Sequence, residues 1–149
     1  MTVYSLLQSL YSMETLLKEA FIKTAEYHKT VPDIYYDCQA NASESDEKFR
    51  NLRIMMEKYP AEKESGTEKY LSTPIDVHKT GLNLFSDLQY MWLLARNIEL
   101  HTQILLQSST ALNDTALENS CYKLDGITAR QTEWLLNRIS REVSLILAV

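Results

Sequence analysis

The run from Leu82 to Leu112 constrains this chain more than any other stretch, because no proline or glycine interrupts it after Gly81. Its apolar residues Leu84, Leu88, Met91, Ala95, Ile98, Leu105 and Leu112 recur at three- and four-residue steps, widened by Phe85, Trp92, Leu94 and Leu106. That spacing puts them on one broad stripe of an α-helix. At about 1.5 Å per residue the helix spans roughly 45 Å. A helix of that length is stable in water only if partners of similar length cover its stripe.

The rest of the chain supplies them. Val3, Leu6, Leu7, Leu10, Met13, Leu17, Ala20 and Phe21 form one stripe, with Thr2 as a candidate N-cap. After Val31, Pro32 is suited to the first turn of a second helix, whose stripe is Ile34, Tyr35, Cys38, Ala42, Ser45, Phe49, Leu52 and Met56. A third stripe lies beyond the long run: Leu135, Ile139, Val143, Ile146 and Val149, widened by Trp134, Leu136 and Leu147. Asn113-Asp114-Thr115 reads as a helix stop and a new cap. Asp125-Gly126 reads as a second stop, with the glycine left-handed and Thr128 capping the last helix.

These signals predict an all-α, up-down helical bundle in one domain, residues 1–149, with four long helices at about 3–29, 33–58, 82–112 and 128–148. One or two short helices, at about 74–80 and 115–124, and an exposed polar loop at 60–72 complete it. Gly81 is expected to break or kink the chain ahead of the long run.

Charge narrows the functional classes. A net charge of −5 and the absence of a long lysine and arginine run argue against a nucleic-acid backbone as partner. The N-terminus lacks the basic and apolar regions of a signal peptide, and no apolar run reaches the length that spans a bilayer. The expectation is a cytoplasmic protein without membrane contact, whose two cysteines, Cys38 and Cys121, are reduced thiols packed in the core.

A helical bundle invites a metal reading. Ferritin-like bundles hold two metal ions with a Glu from each of two helices and Glu-x-x-His from each of the other two, since residues three apart share a helix face. This chain is similar to them in length and helix number, and the motif is absent. Its histidines follow acids by two residues, in Glu26-Tyr27-His28, Asp76-Val77-His78 and Glu99-Leu100-His101. Residues two apart point about 200° away from each other. Glu14, His28, Glu99 and His101, near the edges of their stripes, remain the candidates for a carboxylate and histidine site of oxidase type. No nucleophile elbow, phosphate loop or dinucleotide turn is present.

The aromatic residues give the other signal. Nine tyrosines are many for this length, and Tyr35 and Tyr36 cannot both face the core. With Arg130 and Trp134, residue types that dominate binding hot spots, they are the candidate interface. The leading expectation is therefore a small acidic bundle that binds a protein partner or itself as a homodimer, with no cofactor and no chemistry of its own. An apolar ligand cavity among Phe85, Met91 and Trp92 is a further alternative.

Overall fold

The structure is a computed structural model that describes residues 2–61, 80, 81 and 83–148. Among these there are four helices: α1 (Val3–Tyr27), α2 (Pro32–Lys58), α3 (Leu84–Ala111) and α4 (Thr115–Leu147). Each start has a local cause. Thr2 Oγ1 accepts the Ser5 N–H at 3.1 Å while Ser5 Oγ accepts the Thr2 N–H at 3.0 Å, a reciprocal cap. Pro32 is the first residue of α2, as expected. Asn83 and Asp114 cap α3 and α4 by accepting the N–H groups of Ser86 and Leu117.

Gly81 provides the expected break, with φ of +100°. A Cβ there would lie 2.8 Å from the Tyr27 ring, so both conformation and contact demand glycine.

Helix directions are set by the contacts that tie them. Lys18 meets Asp46 and Glu14 meets Lys48 between α1 and α2; Asp33 meets Arg138 and Asp114 meets Lys58 between α2 and α4. His28 meets Asp87 and Met13 meets Asn97 between α1 and α3. In every pair the numbers rise on one helix as they fall on the other, so neighbours are antiparallel. α1 packs on α2 and α3, and α4 packs on α3 and α2. The circular order is thus α1, α2, α4, α3, which leaves α2 and α3 diagonal and parallel.

Tyr59 bonds Asp114 at the α3–α4 turn, whereas Gly81 donates to Asp87 beside His28, at the α1–α2 turn. The chain therefore passes from one end of the bundle to the other between Ala61 and Thr80.

The core is built from the expected stripes. Leu7, Leu10, Leu17, Phe21, Ile34, Cys38, Leu52, Leu88, Met91, Ala95, Leu105, Cys121 and Leu135 are fully buried. No described helix is long and apolar enough to cross a membrane.

Several expectations are corrected. Helix α4 is one continuous element from Thr115 to Leu147, in place of a short helix at 115–124 and a long one at 128–148. Gly126 is helical and Thr128 is a buried interior residue, not a cap. A glycine inside a helix costs about 1 kcal/mol. A break there would disturb the burial of Leu124 and Ile127 on either side, worth roughly 1.5–3 kcal/mol each. Continuity wins.

The first helix ends at Tyr27, not near 29, and the third begins at Leu84 and ends at Ala111. The expected stripes also run past the core: Leu112, the cap at the end of α3, is exposed, and so are Ile146 and Leu147, about two turns beyond Arg138, which meets α2 at its first turn through Asp33. The expected short helix at 74–80 and most of the loop at 60–72 lie outside the described residues.

Candidate functional site

The centre of the bundle is polar. Lys48, on α2, is fully buried, and its ammonium lies 2.6 Å from Glu14 Oε2 on α1. The same ammonium donates to Gln131 Oε1 at 2.6 Å and to Thr128 Oγ1 at 3.4 Å, both on α4. Gln131 in turn donates through Nε2 to Ser45 Oγ at 3.1 Å and to the Asn41 carbonyl at 3.0 Å. Glu14, Ser45, Thr128 and Gln131 are all buried. Three helices are thus tied through one cation.

Burial acts on both charges. It holds the Glu14 carboxyl above its usual range and the Lys48 ammonium below its own, each opposed by the attraction of the other.

The positions of these side chains bear on metal binding. On α2 and α4 the buried polar pairs three residues apart are Ser45 with Lys48 and Thr128 with Gln131, and neither is the Glu-x-x-His of a di-metal bundle. Glu14 is the sole carboxylate of this network, and the chain's own ammonium already neutralises it. Among the described residues no group of three or more His, Cys, Asp and Glu side chains is arranged to hold a metal ion.

The four metal candidates stand apart. Glu14 belongs to the central network. His28, fourteen residues along α1 and so roughly 21 Å away, places Nε2 2.7 Å from the buried Asp87 carboxylate, which also accepts the Gly81 N–H. Glu99 accepts from Arg96 on the outer side of α3 at 3.0 Å. His101 is buried and its Nδ1 lies 2.7 Å from the Asn97 carbonyl. A carbonyl only accepts, so Nδ1 carries the proton.

The interface candidates divide likewise. Tyr36 is 66% exposed, and Tyr35 sits edge-on to it with ring centres 5.2 Å apart. Trp134 is half-buried, tilted against Phe21 at 6.3 Å, and donates its indole N–H to Asp37 at 3.1 Å. Arg130 lies in the groove between α2 and α4 with Glu44, 3.7 Å away. Trp134 is therefore spent on packing. Of the three expected cavity residues, Met91 is fully buried, while Phe85 and Trp92 are half-buried.

One surface escapes a reading of the sequence alone. Between Gln89 and Gln107 the residues of α3 that face away from the bundle are Gln89, Leu93, Arg96, Leu100, Gln103 and Gln107, all exposed and alternating by four and three. Arg96 is the only charge among them. The exposed residues of α2, by contrast, include Asp33, Asp37, Glu47, Arg50, Arg53 and Glu57. Leu93 is 43% and Leu100 58% exposed, seven residues apart, so they stand one above the other on the same face. The sequence carries the signal as a gap in charge at heptad spacing, hidden because the inward stripe of this helix is so wide.

The chain matches no protein-family model, no characterised protein and no solved structure.

Proposed function

We propose that this protein is a helical bundle that acts by binding another polypeptide chain, its own or a different one, and has no chemistry of its own. The observation that carries this reading is the outer face of α3. A helix face turned to water normally carries charge on most turns, whereas this one presents two leucines, one arginine and three glutamines. Two leucines with an arginine between them and no lysine or acid on the same face match the middle of a binding surface, where arginine is enriched and Lys, Glu and Asp are depleted. The central network favours the same reading over a metal or oxidase site, because Lys48 takes the place at the bundle's centre that a cation would need.

Hydroxyl-radical footprinting tests this without a known partner. Leu93 and Leu100 are expected to oxidise readily in the dilute purified protein and to be protected in concentrated extract of the cells that produce it. Equal oxidation in both would mean that the face is simply solvated, and would overturn the proposal.

A further inference from the structure

We infer that the groove between α2 and α4 at Asp37 and Trp134 receives an arginine side chain from a partner polypeptide. This groove lies apart from the outer face of α3, and its occupancy is independent of whether that face is bound. Along it, acids of α2 are answered by arginines of α4. Asp33 meets Arg138 and, at 3.8 Å, Arg141, while Glu44 meets Arg130 at 3.7 Å. Asp37 stands between these pairs, and the residue of α4 that meets it is Trp134, whose indole N–H supplies a hydrogen bond at 3.1 Å but no charge. Among the described residues no cation pairs with Asp37.

The rest of the lining decides which cation fits. The groove encloses about 250 Å³ among Asp37, Ala40, Asn41, Glu44, Arg130 and Trp134. That is smaller than a pocket enclosing a whole small molecule, and suits a single side chain. Two acids against one arginine leave the lining one negative charge in excess. Asn41 turns its amide nitrogen back to the Asp37 carbonyl at 2.9 Å, which leaves its side-chain oxygen to accept, and the two carboxylates only accept. Trp134 packs part of its indole on Phe21 and lines the groove with the rest. The group that satisfies this lining is a cation with several donors, flat enough to lie against an aromatic ring. A guanidinium is planar, donates from every nitrogen, accepts nothing and stacks on indole, whereas an ammonium is compact and strongly hydrated.

An NMR titration of the full chain with N-acetyl-arginine methylamide tests this, following the Trp134 indole N–H, a peak assigned by its loss in Trp134→Phe. The arginine probe is expected to move the peak saturably, with half-saturation in the millimolar range, and the matching citrulline derivative, its neutral isostere, to leave it in place. Asp37→Asn keeps an oxygen for the indole N–H but removes the charge, and should weaken binding about tenfold with unchanged circular dichroism. Glu57→Gln, which removes an exposed charge elsewhere on α2, should bind as the parent does.

No saturable shift up to about 100 mM probe would overturn the inference. So would an equal response to citrulline, or equal weakening by Glu57→Gln, which would reduce the effect to unspecific attraction by an acidic protein. None of these outcomes alters the footprint of Leu93 and Leu100, so the groove and the α3 face can fail separately.

Discussion

Lys48 shows what a single residue can decide. Its ammonium has no access to water, and three groups on two other helices answer it. Removing one partner of a buried ion pair leaves the other charge uncompensated, at a cost of about 3–5 kcal/mol, whereas replacing both by apolar groups of similar volume is often neutral. Lys48→Met should therefore lower stability by about that amount in urea unfolding at neutral pH. The loss should shrink as the pH is lowered, since Glu14, deprived of its counter-charge, takes up a proton. Glu14→Leu together with Lys48→Met should recover most of the loss. A single variant as stable as the parent would show that the pair is not desolvated in solution.

Asp114 carries a second consequence at this scale. The Tyr59 hydroxyl, the Lys58 ammonium and the Leu117 N–H all bond its carboxylate and hold its pKa at about 2, below the usual 3.8. A carboxyl whose pKa is depressed by folding stabilises the native state fully above its unfolded value, and that stabilisation fades as the pH falls through the folded one. The contribution should thus be intact above about pH 4 and disappear towards pH 2. Asp114→Asn retains an oxygen for the cap but cannot titrate. Its stability should fall less steeply than that of the parent across this window in acid melts.

At the scale of elements, α4 carries the main surprise. Asp125-Gly126 has the local grammar of a helix end, yet Leu117, Cys121, Leu124, Ile127, Thr128 and Leu135 lie buried along one uninterrupted helix. Packing against α3 and α2 rewards continuity more than the glycine penalises it. Gly126 faces open space, with nothing within 4 Å of where a Cβ would stand. Gly126→Ala should consequently raise stability by about 0.5–1 kcal/mol, measured by thermal or urea unfolding. A left-handed terminator at this position would give the opposite sign, because alanine is strained there.

At the scale of the whole molecule, the two hairpins α1–α2 and α3–α4 pack so that the backbone of each helix lies against two others, while α1 and α4, on a diagonal, meet through the Phe21 and Trp134 rings. The two cysteines report on the integrity of this arrangement. Cys38 and Cys121 are free and buried on different helices, and burial pushes both thiols up to about 12. Neither presents a thiolate to solvent in the native state. Labelling by an excess of alkylating reagent should proceed at the rate of opening of the bundle, and both cysteines should react together. Rapid labelling of one alone would locate a part of the fold that opens independently.

Most of the elements follow from short-range physics alone. Stripes at three- and four-residue steps, caps at Thr2 and Asp114, and the proline at position 32 act within a turn or two of chain, and such short-range physics is written in neighbouring residues. The interior pair is only half visible there: Glu14 stands at the edge of its stripe, while Lys48, three residues after Ser45 and four before Leu52, lies on the apolar stripe yet reads as a surface lysine. Its partners are 34 residues back and some 80 residues ahead. Whether a charge at that position meets water or a counter-charge depends on which helices close over it. The same holds for the diagonal of α2 and α3, for the continuity through Gly126 and for the overrun of α4 at Ile146. Each depends on which helices lie alongside and where they stop, a balance of burial against local preference that is settled between elements distant in the chain.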